Sequence, residues 1–181
     1  MALHGFLQGY PGYADTQALG AALKALQAEG LDQLPLPGSG QTLERLSGLA
    51  QVAGHDLRLC KLFEGHTDAL AIIAELRSPL PPLGSTWGMW AAEPPTAKVR
   101  VRRDGSRLIL EGRKAWCSGA AVVSHGLLTA WDEQDRQQLV AVQMHQPGIT
   151  VTDEGWNAVG MAATGSVEIL FDNALGIAVG A

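Results

Sequence analysis

The residues best suited to hold a ligand are tryptophans that stand next to very small residues. All five tryptophans fall in the second half of the chain, at Trp87, Trp90, Trp116, Trp131 and Trp156. Two of them lie in the runs Trp90-Ala91-Ala92-Glu93-Pro94 and Ala115-Trp116-Cys117-Ser118-Gly119. A broad ring beside small side chains and accessible backbone can form a flat surface for a planar ligand. Ordinary packing in the core of a sheet is the alternative, and the residues alone favour it.

The sequence has no signature of nucleotide-loop, metal or hydrolase chemistry. Gly38-Ser39-Gly40 has no strand before it and no Lys-Ser/Thr pair after it, so it is not a phosphate-binding loop. The five histidines are scattered, and the two cysteines, Cys60 and Cys117, have no metal-ligand spacing. Ser118 lacks the GxSxG context of a hydrolase nucleophile.

Two polar residues on a predicted helix have a chemical and an ordinary interpretation. His66 lies on the apolar face of that helix, which favours a hydrogen-bonded core histidine over a ligand or a base. Glu64 could act as a catalytic carboxylate, but a solvated position on the helix is the commoner role.

Composition argues for a globular protein that does not bind nucleic acid. The chain of 181 residues is 46% hydrophobic, which is enough for a core, and its formal net charge is −5. Lys98, Arg100 and Arg102 alternate with valines, a pattern that favours the solvated face of a strand over contacts with phosphate.

The sequence shows no targeting or membrane segment. The first ten residues lack a basic region followed by a long apolar one, and no apolar stretch approaches the ~20 residues of a membrane-spanning helix. Two cysteines without a framework spacing are typical of reduced thiols. We therefore expect a cytoplasmic protein.

The first half of the chain has helical periodicity. It predicts helices over residues 15–30, 42–53 and 56–76, with Asp15 as the cap of the first and Asp56 at the start of the third. Residues 78–85 contain three prolines, which remove backbone donors and end the helix. A domain boundary is expected there, after a helical segment of residues 1–80.

The second half has the period of two that is typical of strands. Short strands are predicted over residues 87–92, 97–103, 107–111, 124–131, 138–144, 149–153 and 166–171. Asp104-Gly105 is a two-residue hairpin signal between two of them. The expected class is α+β, with helices followed by an antiparallel barrel or sandwich over residues 86–174. Strands do not alternate with helices, so a dinucleotide-binding fold is disfavoured.

This half of the chain resembles the middle domain of the acyl-CoA dehydrogenases from about Gly88 to Asp172. Residues 89–94 look like the family's strand that ends in "TEP", and residues 110–119 look like its "l-x-G-x-K-x-W-I-T-N" segment. Residues 147–149 match its "pGi" turn, and residues 160–172 its "lG-x-r-x-s-x-t-x-x-v-x-F-d-d" ending. All four segments occur in the family's order and spacing.

The resemblance implies an oxidoreductase that binds FAD and acts on the CH–CH group of an acyl thioester, as in fatty acid metabolism. It implies N-terminal helices followed by an antiparallel β-barrel-like domain. Trp116 would stack near the flavin ring, and Ser118, at the family's threonine position, would offer its hydroxyl to flavin N5. The implied cofactor-binding positions are Trp90, Ala91, Ala92, Trp116, Cys117 and Ser118.

The loop after the first strand departs from the family. The family continues "EPGAGSD", whereas this chain has Glu93-Pro94-Pro95-Thr96-Ala97-Lys98, which is one residue shorter and lacks two glycines and a serine that contacts substrate. Thr96 is the candidate replacement for that serine, and Ala92 replaces the usual threonine. An atypical acyl substrate, or loss of CoA-ester binding, would follow.

The family's middle domain is followed by a helical bundle that supplies the catalytic base, and here residues 175–181 would be only its truncated start. No catalytic residue is therefore assigned, and neither Glu64 nor Glu93 is nominated as the base. The expected partners are an acyl-CoA-like substrate and either further copies of the chain or a chain that supplies the bundle. The alternatives are a non-catalytic flavin-binding subunit, a truncated remnant and a flavin monooxygenase relative.

Overall fold

A computed structural model describes residues 2–10, 12–79 and 81–180. Four α-helices come first, and they are α1 (Ala2–Gln8), α2 (Thr16–Ala28), α3 (Thr42–His55) and α4 (Leu57–Glu75). The three helices predicted from periodicity are confirmed. The sequence does not predict α1, because its seven residues are too few to show a helical period. Among the described residues, no helix has both the length and the apolar character needed to cross a membrane.

Aspartates begin two of these helices, as the sequence predicts. Oδ1 of Asp15 accepts a hydrogen bond of 2.8 Å from the backbone N–H of Ala18. Oδ1 of Asp56 accepts bonds of 2.7 and 3.2 Å from the backbone N–H groups of Arg58 and Leu59. Such caps satisfy N–H groups that have no partner within the helix, and each contributes about 1 kcal/mol.

Seven strands follow and close into a barrel-like sheet. They are β1 (Trp87–Trp90), β2 (Val99–Asp104), β3 (Arg107–Cys117), β4 (His125–Trp131), β5 (Gln137–Gln143), β6 (Ile149–Gly155) and β7 (Val167–Val179). Strands β4, β2, β3, β7 and β5 pair in that order, and β5 pairs again with β4, which closes the ring. β1 lies beside β4, and β6 beside β7. The predicted α+β class with a barrel-like sheet is confirmed.

The pairing is mostly antiparallel, as expected, but β1 and β2 run parallel to β4. Hairpin signals predict only antiparallel neighbours in sequence, so they do not reveal these two pairings between strands that are distant along the chain.

Two strands are longer than the sequence predicts. β3 runs on past Gly112, which has φ +117° and lies so close to the carbonyl oxygen of Lys98 that a Cβ would not fit. A glycine that resembles a strand end is therefore a paired position of the sheet at which two backbones approach closely. β7 runs to Val179 and pairs there with Leu139 of β5. Residues 175–179 thus belong to the sheet. The resemblance implied that a further region starts at residue 175, and the strand contradicts this. Residue 181 lies outside the described residues.

The helices and the sheet share a large hydrophobic core. Its fully buried members include Leu23 of α2, Phe63 of α4, Leu110 of β3, Leu128 of β4 and Ile169 of β7. Helix α4 packs directly on β1. Residues 78–85 separate α4 from β1 as predicted, although residue 80 at the expected boundary lies outside the described residues. Burial of each such core side chain contributes roughly 1.5–3 kcal/mol.

Candidate functional site

The ends of β1 and β3 lie side by side, which brings together the two segments that the sequence singles out. Nε1 of Trp90 donates a hydrogen bond of 3.1 Å to the backbone oxygen of Ser118. Ala91 and Ala92 come directly after Trp90, the last residue of β1 that pairs with β4, and Ala91 is exposed. The backbone after β1 is therefore accessible beside the end of β3.

The ring of Trp90 belongs to the core. Only 3% of Trp90 is exposed, and its ring lies so close to Gly88 and Gly126 that neither glycine has room for a Cβ. Of the two roles that the sequence left open for this side chain, the structure gives it core packing. The backbone of Trp90, and not its ring, is what remains for contact with a ligand.

Trp116 is the exposed aromatic residue of this region. It is 49% exposed, and its φ of +57° is left-handed. It lies on a bulge in the β3–β7 pairing between Lys114 and Cys117. A bulky residue held in this conformation costs about 1–3 kcal/mol, and such strain is found most often at functional sites.

Cys117 turns the other way. Its side chain is fully buried, and Sγ lies 3.5 Å from the backbone oxygen of Lys114. Burial raises the pKa of the Cys117 thiol far above its usual range, so the thiol stays protonated. Only the backbone of Cys117 can take part in the site that the sequence predicts.

Ser118 begins a chain of three hydroxyl groups. Its Oγ lies 2.7 Å from Oγ of Ser166, which lies 2.9 Å from Oγ1 of Thr164. Oγ1 of Thr164 donates to the backbone oxygen of Met161 at 2.7 Å. The backbone N–H of Gly119 also donates to the oxygen of Thr164 at 2.8 Å, which ties this 3₁₀ turn (Ala162–Thr164) to the end of β3.

A buried ion pair joins the two segments a second time. Nζ of Lys114 donates to Oε1 of Glu93 at 3.1 Å, to the backbone oxygen of Thr129 at 2.9 Å and to its Oγ1 at 2.6 Å. Glu93 also accepts from Oγ1 of Thr129 at 2.7 Å and from Nε1 of Trp131 at 2.8 Å. All three ammonium protons have acceptors, so this charge is buried without an unsatisfied group.

The two charges of this pair titrate in ways that their surroundings explain. Burial alone would raise the pKa of Glu93, but hydrogen bonds from Thr129, Trp131 and Lys114 outweigh burial and lower the pKa below its ordinary 4.5. Burial lowers the pKa of Lys114, and the contact with Glu93 offsets only part of that effect. Glu93 is therefore a carboxylate occupied by donors and not a free base.

The other predicted residues lie outside this cluster. Thr96 is exposed in the loop between β1 and β2, and it stays a prediction for substrate contact. Glu64 pairs with Lys61 at 2.6 Å on the open face of α4, which is the ordinary role. His66 is confirmed as a core histidine. Its Nδ1 accepts from the backbone N–H of Trp87 at 3.2 Å, so Nε2 carries the proton that is donated to Asp32 at 2.9 Å.

The basic residues of β2 also have the ordinary role. Lys98 and Arg100 both contact Asp135, at 3.2 and 3.1 Å, on the solvated face. Lys114, which belongs to the same basic stretch of sequence, differs because it is fully buried. Lys114 keeps the inward phase of Leu108 and Leu110, but the strand predicted from the sequence ends at residue 111 and so does not include it.

Sequence reasoning missed four residues of the cluster as site residues: Glu93, Lys114, Thr164 and Ser166. All four lie inside the segments that carry the family resemblance. Their location in these segments was the available signal. A motif residue that does not itself contact the ligand is a candidate for positioning the residues that do.

The cluster fits one face of a planar ring, such as that of a flavin. It offers the exposed indole of Trp116, the half-buried hydroxyl of Ser118 and the accessible backbone at Ala91. The cavity beside Trp90 and Ser118 has only about 10 Å³, so a ring would lie on an open surface. Among the described residues, no group of His, Cys, Asp and Glu is suited to hold a metal ion.

A cavity much larger than the one beside Trp90 lies elsewhere and does not include this cluster. It has about 710 Å³ and runs between the proline-rich segment and the ends of β5 and β7. Trp87 and His125, which stack with ring centroids 4.8 Å apart, form part of its wall together with Ile177. Its size would suit a ligand, but neither Trp116 nor Ser118 lines it.

Comparison with known proteins agrees with the fold and with the motifs. Residues 88–174 match the family described as acyl-CoA dehydrogenase, middle domain. No curated protein matches the sequence.

Several solved structures have the same fold. A glutaryl-CoA dehydrogenase from Mycobacterium smegmatis in complex with FADH2 gives a TM-score of 0.72 at 17% identity, over 99% of this chain and 49% of that one. The methanesulfinate monooxygenase MsuC from Pseudomonas fluorescens gives 0.69 at 25% identity, over 86% and 44%. TdsC from Paenibacillus sp. A11-2, with FMN and indole, gives 0.67 at 22% identity, over 89% and 46%.

The chain thus spans about half the length of the solved structures that it matches. Sequence motifs, barrel topology and the family match all concern the same stretch of residues. Residues 88–174 of this chain therefore resemble the middle domain of the acyl-CoA dehydrogenases in both sequence and fold.

Proposed function

We propose that this chain supplies one face of a flavin site in an oxidoreductase. The observation that supports the proposal most strongly is Trp116, a half-exposed indole held at φ +57° on a bulge, two residues from the Ser118 hydroxyl. Proteins retain such strain where it places a side chain for use. An indole face matches the flat ring system of a flavin, and Ser118 provides a polar contact at its edge.

The flavin that we propose is FAD. The glutaryl-CoA dehydrogenase that is similar over 99% of this chain was solved with FADH2. TdsC, of the same fold, was solved with FMN, so both flavins belong in the test.

The reaction that we propose is oxidation of the CH–CH group of an acyl thioester. A bound flavin supplies the capacity to accept a hydride in such a reaction. The residues of this chain bind and orient: Trp116 covers a ring face, Ser118 contacts its edge, and the Lys114–Glu93 pair holds their supporting strands. Thr96 remains the candidate for substrate contact.

The base that removes a substrate proton is not assigned to this chain. Glu93 accepts hydrogen bonds from Lys114, Thr129 and Trp131, and Glu64 is paired with Lys61. A base must have its carboxylate free to reach the proton directly or through one water, and both carboxylates already hold other partners. We propose that another copy of the chain, or a chain carrying a helical bundle, completes the site.

Titration of the purified chain with oxidised FAD and FMN, followed by visible absorbance after desalting, tests the flavin proposal. We expect saturable binding that weakens about tenfold in Trp116→Ala, because stacking contributes about 0.5–1.5 kcal/mol beyond burial. Ile177→Ala is the matched control, since Ile177 is 60% exposed and lines the large cavity. Binding that is lost in Ile177→Ala and unchanged in Trp116→Ala would place the flavin in that cavity and refute the proposed site.

A flavin monooxygenase is the second candidate function. The segment Glu93-Pro94-Pro95-Thr96-Ala97-Lys98 lacks the glycines of the dehydrogenases, and the methanesulfinate monooxygenase is similar at 25% identity. The chain is co-expressed with a candidate partner and supplied with an acyl-CoA under air. Formation of an enoyl thioester supports the dehydrogenase, whereas oxygen uptake that depends on added reduced flavin supports the monooxygenase. Flavin binding with neither activity would indicate a non-catalytic subunit.

A further inference from the structure

We propose that the three-hydroxyl chain makes Ser118 a hydrogen-bond acceptor toward its ligand, so that the site binds reduced flavin more tightly than oxidised flavin. The three-hydroxyl chain consists of Ser118, Ser166 and Thr164 and ends at the backbone oxygen of Met161. The inference rests on the proposed function, in which Ser118 contacts the edge of the ring, and it takes N5 as the contacted atom, as the family resemblance implies.

Counting protons fixes the direction of the chain. Each hydroxyl group has one proton to donate and can also accept. The oxygen of Met161 has no proton, so Thr164 must donate in their 2.7 Å contact. Ser166 must then donate to Thr164 at 2.9 Å, and Ser118 must donate to Ser166 at 2.7 Å. Only this direction forms all three hydrogen bonds, and it leaves Ser118 with lone pairs for a ligand.

The reverse direction gives up one buried hydrogen bond. If Ser118 donates to a ligand, either its own bond to Ser166 is lost, or the whole chain reverses and the bond from Thr164 to Met161 is lost. The oxygen of Met161 still accepts the backbone N–H of Thr164 at 3.0 Å, so reversal is possible but costs a bond. Thr164 is 1% and Ser166 8% exposed, so water does not readily replace that bond.

The two redox states of a flavin differ at the atom that meets Ser118. N5 of the oxidised ring has a lone pair and no hydrogen, whereas N5–H of the reduced ring is a donor. An acceptor hydroxyl pairs directly with the donor, whereas pairing with the lone pair costs one hydrogen bond of the three-hydroxyl chain. The difference of about one hydrogen bond predicts about fivefold tighter binding of reduced flavin, equivalent to a rise of about 20 mV in its two-electron potential.

The test measures the dissociation constants of oxidised FAD and of chemically reduced FAD separately, under anaerobic conditions, by titration of tryptophan fluorescence. Thr164→Val and Ser166→Ala each free Ser118 from the fixed direction, and we expect the ratio of the two constants to fall from about five toward one. Thr164→Val keeps the volume of a side chain that is 1% exposed, and Ser166→Ala gives a second route should that variant fold poorly.

A double variant separates this role from a structural one. In a Ser118→Ala background, Thr164→Val should leave the ratio unchanged, because the hydroxyl that reports the direction is absent. A ratio near one in the unaltered chain, or a ratio that Thr164→Val and Ser166→Ala do not change while flavin still binds, overturns the inference alone. A chain that binds flavin in neither state overturns the proposed function and this inference with it.

Discussion

The ammonium nitrogen of Lys114 lies 3.1 Å from Oε1 of Glu93, and this contact spans the two segments that make up the candidate site. Glu93 follows β1 by three residues, and Lys114 precedes Trp116 on β3 by two. The lysine side chain is fully buried, whereas the glutamate side chain is 18% exposed. Because this one pair links both segments, its loss should lower both the stability of the fold and the affinity of the site for its ligand.

Replacement of Lys114 by methionine should destabilise the protein by about 3 kcal/mol, because it leaves Glu93 largely buried without its cation. Urea unfolding at neutral pH measures the change. Lys98→Met is the matched control, since Lys98 meets Asp135 at 3.2 Å with both side chains well exposed. That change should cost less than about 1 kcal/mol. Equal unfolding midpoints for the two variants would show that the buried pair contributes no more than a surface one.

The pKa of Glu93 predicts how this contribution depends on pH. Hydrogen bonds lower the pKa below its ordinary 4.5 despite burial, so the stabilisation is fully present above that value. It is lost as the pH falls through the lower value of the folded protein. Glu93→Gln should therefore be much less stable than the unaltered chain at neutral pH, and the gap should narrow below pH 4.5.

Other carboxylates with lowered pKa values, such as Asp32 and Asp56, are common to both proteins and cancel in this comparison. Urea unfolding of both proteins across the acid range provides the measurement. A gap that stays constant on acidification would show that the glutamine loses packing, and not a charged contact.

The left-handed backbone at Trp116 predicts that, among small replacements, glycine gives a more stable fold than alanine, while both weaken flavin binding. Trp116→Gly should be about 1 kcal/mol more stable than Trp116→Ala, because only glycine reaches φ +57° without a penalty. Thermal unfolding compares the two, and Trp116→Phe, which retains a ring, should keep part of the flavin affinity that both small variants lose. If Trp116→Ala were the more stable of the pair, the left-handed conformation would carry no strain.

The sequence predicts the fold better than it predicts the support of the site. Helical periodicity and aspartate caps locate α2 and α4 closely, because both signals are local along the chain. Motif matches likewise select Trp116 and Ser118. The inward position of Lys114 is not predicted, because the expected strand ends at residue 111, although Lys114 keeps the inward phase of Leu108 and Leu110. Its partner Glu93 is 21 residues away in sequence, and only the closed sheet shows that the two meet.

The packing of Trp90 against two glycines gives a final prediction about how the site is built. Gly126 of β4 has no room for a Cβ against the Trp90 ring, so Gly126→Ala must move that ring. The shift should cost about 1–3 kcal/mol, as overpacking of a core does. It should also weaken the 3.1 Å bond from Trp90 to the Ser118 backbone, and flavin affinity should fall with it.

Gly160→Ala is the control for this prediction, because no atom lies within 4 Å of the Cβ that it would add. Calorimetric unfolding and flavin titration of both variants provide the two measurements. If Gly126→Ala lost stability but bound flavin as tightly as Gly160→Ala, the position of Trp90 would matter for the core and not for Ser118. Loss of both properties together would show that the site takes its shape from the core beneath it, since the buried ring of Trp90 bonds to the Ser118 backbone.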